Sequence, residues 1–325
     1  MKITKKDKFG QVLARPEFQG IENFVIPVPA GLLGVLMKEL KLGAINAAFK
    51  TWNVDDVAVG LNRLAALVAK GVKVHHDIWS PAEKAVDPRK RDTALFYFPV
   101  EKKGPFALVC AGGAYLTPAS FVDAFPAAAE LNRLGYTAFV LHYRTGRHNR
   151  WPAAQEDLRQ ALHTILTRAD VFNIDPTAYA LVGFSAGGHL ISSLGKNQLG
   201  YRHWGLPKPG VLILGYPVTI WENMTWIHKT CLKMIVGKKP TQAQMEEVSI
   251  LPYADGDFPP TFIMHCWDDQ MVYFRNAQAL ADQLKTHGVP YVLRDVPHGG
   301  HGIGLGTGTQ AEGWLEEAVG FWQAR

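Results

Sequence analysis

Cysteine is scarce in this 325-residue chain, with only Cys110, Cys231 and Cys266, odd in number and widely spaced. That argues against a disulfide framework and suits buried free thiols in a reducing compartment. Long apolar runs are missing too. No uncharged stretch approaches the roughly 18 to 20 residues that span a bilayer. Met1-Lys2-Ile3-Thr4-Lys5-Lys6 runs on to Asp7 and Lys8 without the apolar centre of a secretory leader. The expectation is a cytoplasmic protein with no membrane partner. An excess of one charge is likewise absent: 34 basic against 29 acidic residues leave a net charge of +5, not gathered into a stripe, which argues against nucleic acid as a partner. The densest basic cluster, Arg89-Lys90-Arg91, follows Asp87-Pro88 and reads as a solvated turn. No cluster of cysteines or carboxylates has metal-ligand spacing, and no internal repeat or low-complexity linker interrupts the chain.

What is present, at 47% hydrophobic residues, is enough for a sizeable core. From about residue 72 onward, short apolar runs alternate with longer helical patterns. The runs Val72–Trp79, Ala94–Pro99, Phe106–Cys110, Thr137–Leu141, Tyr179–Gly183, Val211–Gly215, Thr261–Cys266 and Pro290–Asp295 read as eight strands. The first two should form an antiparallel, hairpin-like start. Of the rest, the first four are almost wholly apolar, as strands buried on both faces of a parallel sheet must be. Helices are expected over Ala119–Leu134, Pro152–Ala169, Gly187–Gly195, Arg275–His287 and Gln310–Trp322. In the second of these, Leu158, Ala161, Leu162 and Ile165 supply the sheet-facing stripe. The fold class is therefore α/β, a mostly parallel eight-stranded sheet flanked by helices. Residues 1–71, helix-like over Gly31–Leu42 and Asp55–Lys70, form an extension that either caps the mouth of a site or pads the sheet, and the cap is the favoured reading. Residues 72–325 form the α/β domain, with an insertion around 216–256 placed where such sheets bind ligands.

Chemistry concentrates in three loops. Gly183-Phe184-Ser185-Ala186-Gly187 sets a serine between glycines where a strand gives way to a helix, the pattern of a nucleophile elbow. Glycine and serine are also ordinary turn residues, so the context must decide. A serine hydroxyl needs an imidazole to take its proton and a carboxylate to orient that imidazole. The seventh strand leads into His265-Cys266-Trp267-Asp268-Asp269 and the eighth into Pro297-His298-Gly299-Gly300-His301-Gly302. Each loop offers two candidates, with helix capping, loop structure and weak metal ligation as the plain alternatives. The order Ser, Asp, His across strands five, seven and eight is that of one hydrolase architecture. After the third strand, Cys110-Ala111-Gly112-Gly113-Ala114-Tyr115 provides small residues whose amides can approach an oxyanion. Gly113 and Ala114, joined by Ala186 beside the serine, are the candidate donors.

These motifs together resemble the α/β-hydrolase superfamily, more narrowly its small serine esterases related to acetyl-xylan esterases and the hormone-sensitive-lipase-like group. The resemblance covers about residues 90–325 and rests on AGGAY at 111–115, HYR at 142–144, GFSAGGHL at 183–190, HCWDDQMV at 265–272 and GGHGIGLG at 299–306. It selects Asp269 through a pattern like HxxxDxxVP, with Tyr273 in place of the usual proline, and His301 through a GxHG loop. Where the lipase-like group has HGGG, this chain has Ala111-Gly112-Gly113-Ala114. The resemblance implies a carboxylic ester hydrolase with Ser185, Asp269 and His301 as its triad, needing no cofactor or metal. Its substrate would be a small-molecule ester, with acetylated sugars the family-based guess and Tyr115 a candidate substrate contact. Amide or peptide cleavage, acyl transfer to an alcohol, and a non-catalytic binding module on the same fold are the rival readings.

Overall fold

The structure is a computed structural model describing residues 2–196 and 199–325. Each apolar run of the sequence forms a strand: β1 (His75–His76), β2 (Ala94–Phe98), β3 (Gly104–Cys110), β4 (Thr137–His142), β5 (Ile174–Phe184), β6 (Val211–Gly215), β7 (Thr261–Cys266) and β8 (Tyr291–Val296). They make one sheet in the order β1-β2-β4-β3-β5-β6-β7-β8. β2 runs antiparallel to both β1 and β4, and every other pairing is parallel. β1 is shorter than the expected Val72–Trp79 because Ser80 and Glu83 build a capping box with Pro81 in the first turn of the next helix, which draws the chain off the sheet edge. β5 is longer than Tyr179–Gly183, since Ile174 pairs with Gly104 across a register shift before regular pairing resumes at Phe106 and Tyr179.

Before the sheet come α1 (Phe9–Leu13), α2 (Glu22–Val25), α3 (Leu32–Glu39), α4 (Ile45–Ala48) and α5 (Val54–Ala69), and α6 (Pro81–Val86) joins β1 to β2. Thereafter α7 (Ala124–Arg133), α8 (Ala153–Thr167), α9 (Ala186–Gly195), α10 (Trp226–Val236), α11 (Gln242–Val248), α12 (Arg275–Thr286) and α13 (Trp314–Gln323) separate or follow the strands. Alternation along each strand sorts the core into two layers. Ala107, Val109, Ala180, Val182, Val211 and Ile213 face α5, α7 and α13, whereas Leu108, Cys110, Tyr179, Leu181, Leu212 and Leu214 face α8, α9, α10 and α12. The three cysteines are free and buried. Among the described residues no helix is long and apolar enough to cross a membrane.

The N-terminal segment belongs to the first of these layers. Asn53 caps α5 by accepting from the Asp55 and Asp56 amides. Val57, Leu61 and Leu64 then turn fully inward while Val59 stays 52% exposed. α5 crosses α7 so closely that a β-carbon on Gly60 would stand 2.6 Å from the Pro126 nitrogen and 2.7 Å from the Phe125 carbonyl carbon. Both are backbone atoms and cannot swing aside. In the insertion, the fully buried Lys196 donates its ammonium to the carbonyls of Glu247 and Ser249, which ties α11 down beside α9.

Gly60→Ala gains about 1 kcal/mol of helix propensity but forces α5 off α7. The net result expected in urea unfolding is a loss of about 1–3 kcal/mol.

Candidate active site

At the end of β5 the chain must turn into α9 within one residue. Ser185 does so at φ 51° and ψ −117°, a strained backbone for a residue with a side chain. Its amide is held by the Gly215 carbonyl at 2.9 Å. The turn is possible only without side chains on its neighbours: a β-carbon on Gly183 would meet the Gly187 carbonyl oxygen at 2.5 Å, and one on Gly187 would meet that of Cys110 at 2.2 Å. The serine hydroxyl is thereby presented at the carboxyl edge of the sheet, 7% exposed.

Two further loops converge on it. His301 Nε2 lies 2.9 Å from Ser185 Oγ, and His301 Nδ1 lies 2.7 Å from Asp269 Oδ2. The carboxylate can only accept, so Nδ1 carries the ring hydrogen and Nε2 is free to take the serine proton. Asp269 is buried, and its other oxygen accepts from the Met271 and Val272 amides at 2.8 Å each. Burial works to raise its pKa, but the hydrogen bonds from His265 and His301 outweigh it and hold the carboxyl well below its ordinary range.

On the opposite flank, the loop after β3 lies against the first turn of α9, where a β-carbon on Gly112 would stand 3.1 Å from the Ser185 β-carbon. Gly113, Ala114 and Tyr115 all have positive φ. Among the described residues, Gly112 spends its amide on Asp123 Oδ2 at 3.2 Å, while nothing accepts from Gly113 or Ala114. Ala186 opens α9, so its amide has no intrahelical acceptor. Tyr115 is buried rather than presented: its hydroxyl donates to His189 Nδ1 at 2.7 Å and its ring packs on Tyr143.

Four supporting residues were not singled out by the sequence for the parts they take here. His265 places Nε2 3.0 Å from Asp269 Oδ2 and 2.8 Å from the Val272 carbonyl. Both partners accept, so this imidazole donates. Asp268 receives the amides of Gly299 and Gly300 and so fixes the loop carrying His301. Tyr216 packs its ring 4.9 Å from that of His301 and accepts from the Gly304 amide. Asp123 lies beneath the loop after β3, where burial pushes its carboxyl up to about 8. His265 and Asp268 stand within the HCWDDQMV motif, so proximity was a usable signal for them; Asp123 and Tyr216 carry none. The N-terminal segment also reaches this edge, with Thr51 donating its hydroxyl to the His301 carbonyl and Asn53 its amide to that of Thr307. Among the described residues no group of three or more His, Cys, Asp or Glu is placed to hold a metal ion.

Comparison with known proteins adds to this geometry. A model of the BD-FAE family matches residues 96–200, from within β2 to just past α9. The crystal structure of an acetyl ester-xyloside bifunctional hydrolase from Caldicellulosiruptor lactoaceticus is similar at TM-score 0.68 and 28% identity, covering 77% of this chain and 95% of that one. The chain has the α/β-hydrolase fold and resembles the esterases of that superfamily. The probable carboxylic ester hydrolase LipM of Mycobacterium tuberculosis is 27% identical over 248 residues, 71% of this chain and 53% of that protein. The acetylxylan esterase of Xylanibacter ruminicola is 27% identical over 237 residues, 70% of this chain and 46% of that protein. The chain thus spans about half the length of these curated relatives.

Asp123 should make the stability of this protein depend on pH in a definite direction. With its folded pKa raised to about 8 from an ordinary 3.8, the native state keeps a proton that the unfolded chain has released. Stability therefore falls as pH rises through that window. Asp123→Asn keeps an acceptor for the Gly112 amide and removes the titration. Urea unfolding at pH 5, 6, 7 and 8 should show the unsubstituted protein losing stability relative to the variant at each step; parallel curves would refute the assignment.

Proposed function

We propose that the protein hydrolyses carboxylic esters with short acyl groups, acetylated sugars foremost, through an acyl-enzyme formed on Ser185. The observation that carries this reading is the unbroken hydrogen-bond chain from Ser185 Oγ through both nitrogens of His301 to Asp269. The acetyl preference draws on the activities named for the acetylxylan esterase and the acetyl ester-xyloside hydrolase.

In this mechanism Ser185 Oγ attacks the ester carbonyl as His301 Nε2 removes its proton, and Asp269 stabilises the imidazolium that results. The carbonyl oxygen takes up the negative charge and is met by the amides of Gly113, Ala114 and Ala186. His301 returns the proton to the departing alkoxide, which leaves the acyl group on the serine. Water then enters, gives its proton to His301 and attacks the acyl carbonyl; collapse releases the acid and restores the Ser185 hydroxyl.

Purified protein should hydrolyse p-nitrophenyl acetate faster than p-nitroacetanilide, and a fluorophosphonate should label Ser185, as read by peptide mass. Ser185→Ala should abolish both. Asp269→Asn should lower kcat by roughly 10³- to 10⁴-fold with the melting transition still cooperative. Full turnover in either variant would remove that residue from the mechanism, and absence of both hydrolysis and labelling in the unsubstituted protein would sink the esterase reading.

A further inference from the structure

Exposed aromatic rings are concentrated on one edge of this molecule. Among the described residues the exposed aromatics are Phe49, Trp226, Trp267 and Tyr273, at 47, 66, 57 and 42%. All four stand on segments bordering the carboxyl edge of the sheet. Trp267 follows β7 directly, and Tyr273 closes the same loop, the one that carries Asp269. Trp226 opens α10, whose capping Thr225 donates its hydroxyl to the Met271 carbonyl of that loop at 2.6 Å. Phe49 stacks on Trp52 with ring centroids 4.0 Å apart and 17° from parallel. Trp52 in turn touches two segments flanking Ser185: a β-carbon on Gly302, next to His301, would lie 2.9 Å from its indole nitrogen, and Phe121, two residues before Asp123, meets its ring edge-on.

Leaving large aromatic surface in water forgoes the gain of burying it, and several such groups on segments along one edge mark a surface meant to be covered. The kind of surface selects the occupant. An acyl chain calls for a continuous aliphatic wall, but the main group of exposed aliphatics, Leu32, Leu33, Val35, Leu36 and Leu40, lies on and just after α3. Flat rings spaced along an edge instead match the C–H faces of pyranose rings, whose hydroxyls stay in water around the rim. Two of the rings are also held in place before any ligand arrives. The Trp267 indole donates to Asp295 Oδ2 at 3.1 Å, and Phe49 is backed by Trp52, so little freedom is lost on contact.

We propose that these four rings form a saccharide-binding rim, so that the ester is presented on an oligo- or polysaccharide whose neutral sugar units extend beyond the acetylated one. This rests on the ester-hydrolase reading for the identity of the reacting group, but not for the binding itself. Ser185→Ala, which cannot turn over, should be retarded in native gels containing soluble xylan, and adding Trp226→Ala and Trp267→Ala should abolish the retardation while the melting temperature holds. In protein with Ser185 intact, Trp267→Ala should lower kcat/KM for acetylated xylohexaose about tenfold more than for p-nitrophenyl acetate, with the loss in KM rather than kcat. Migration of Ser185→Ala unchanged by xylan would overturn the rim even where p-nitrophenyl acetate is hydrolysed. An equal loss on both substrates in Trp267→Ala would also overturn it, because that is what a disturbed Asp269 loop predicts. Retardation in xylan by a protein that cleaves no ester would leave the rim standing and remove the esterase reading alone.

Discussion

The close approach of α9 to the ends of β3 and β5 is the constraint from which the rest of the site follows. Gly187 sits so near the Cys110 and Ala111 carbonyl oxygens that a β-carbon would come within 2.2 and 2.5 Å of them. This contact brings the first turn of α9, the Ser185 hydroxyl and the loop after β3 to a single point. Holding Ser185 at positive φ costs on the order of 1–3 kcal/mol. The cost is met by its amide bond to Gly215 and by full burial of Leu190, Ile191 and Leu194 behind it, each worth about 1.5–3 kcal/mol in transfer terms. A serine at the same place in a relaxed turn would need no glycines around it, and its hydroxyl would not stand clear of the sheet.

The loop carrying His301 poses the opposite problem, because its composition favours mobility. Gly299, Gly300, Gly302, Gly304 and Gly306 all have positive φ, and such a run pays a large entropy cost to be ordered. The structure meets this with polar anchors from four directions. Asp268 takes the amides of Gly299 and Gly300, Asp269 takes the His301 ring, Tyr216 takes the Gly304 amide, and Thr51 donates to the His301 carbonyl. The last of these comes from the N-terminal segment, so residues that pad one face of the sheet also brace the imidazole.

Strand positions were legible because apolar runs bounded by turn residues leave few alternatives, and the nearly unbroken apolar runs of β3 and β5 already marked them as strands buried on both faces. The Ser, Asp, His order was legible for the same reason, since each residue lies in the loop or turn that follows a strand. Other features depend on contacts that local pattern does not encode. The amphipathic stripe of α5 says that Leu61 and Leu64 are buried, not that α7 buries them, and the fit at Gly60 has no sequence mark. Asp268 and Asp269 are adjacent and chemically identical; one supports the loop and the other binds the imidazole only because β7 ends where it does. Asp123 looks like any acidic residue ahead of a helix until the loop after β3 is folded over it.

Asp123 and Asp269 together show how one fold assigns two buried carboxyls opposite states. Asp269 receives two amides and two imidazoles, enough to keep the ionised form despite burial. Asp123 receives the Gly112 amide while its other oxygen has no partner among the described side chains and backbone, so burial prevails and the carboxyl holds its proton up to about pH 8. The two lie on opposite flanks of Ser185, and only the one behind the imidazole is charged near neutrality. In the proposed mechanism, an oxyanion held by Gly113 and Ala114 would be opposed by a second negative charge beneath the same loop, at a strength that low-dielectric surroundings amplify. A protonated Asp123 fixes the Gly112 backbone without that opposition, so the number of donors given to each carboxyl sets the charge pattern that the proposed acyl transfer at Ser185 would require.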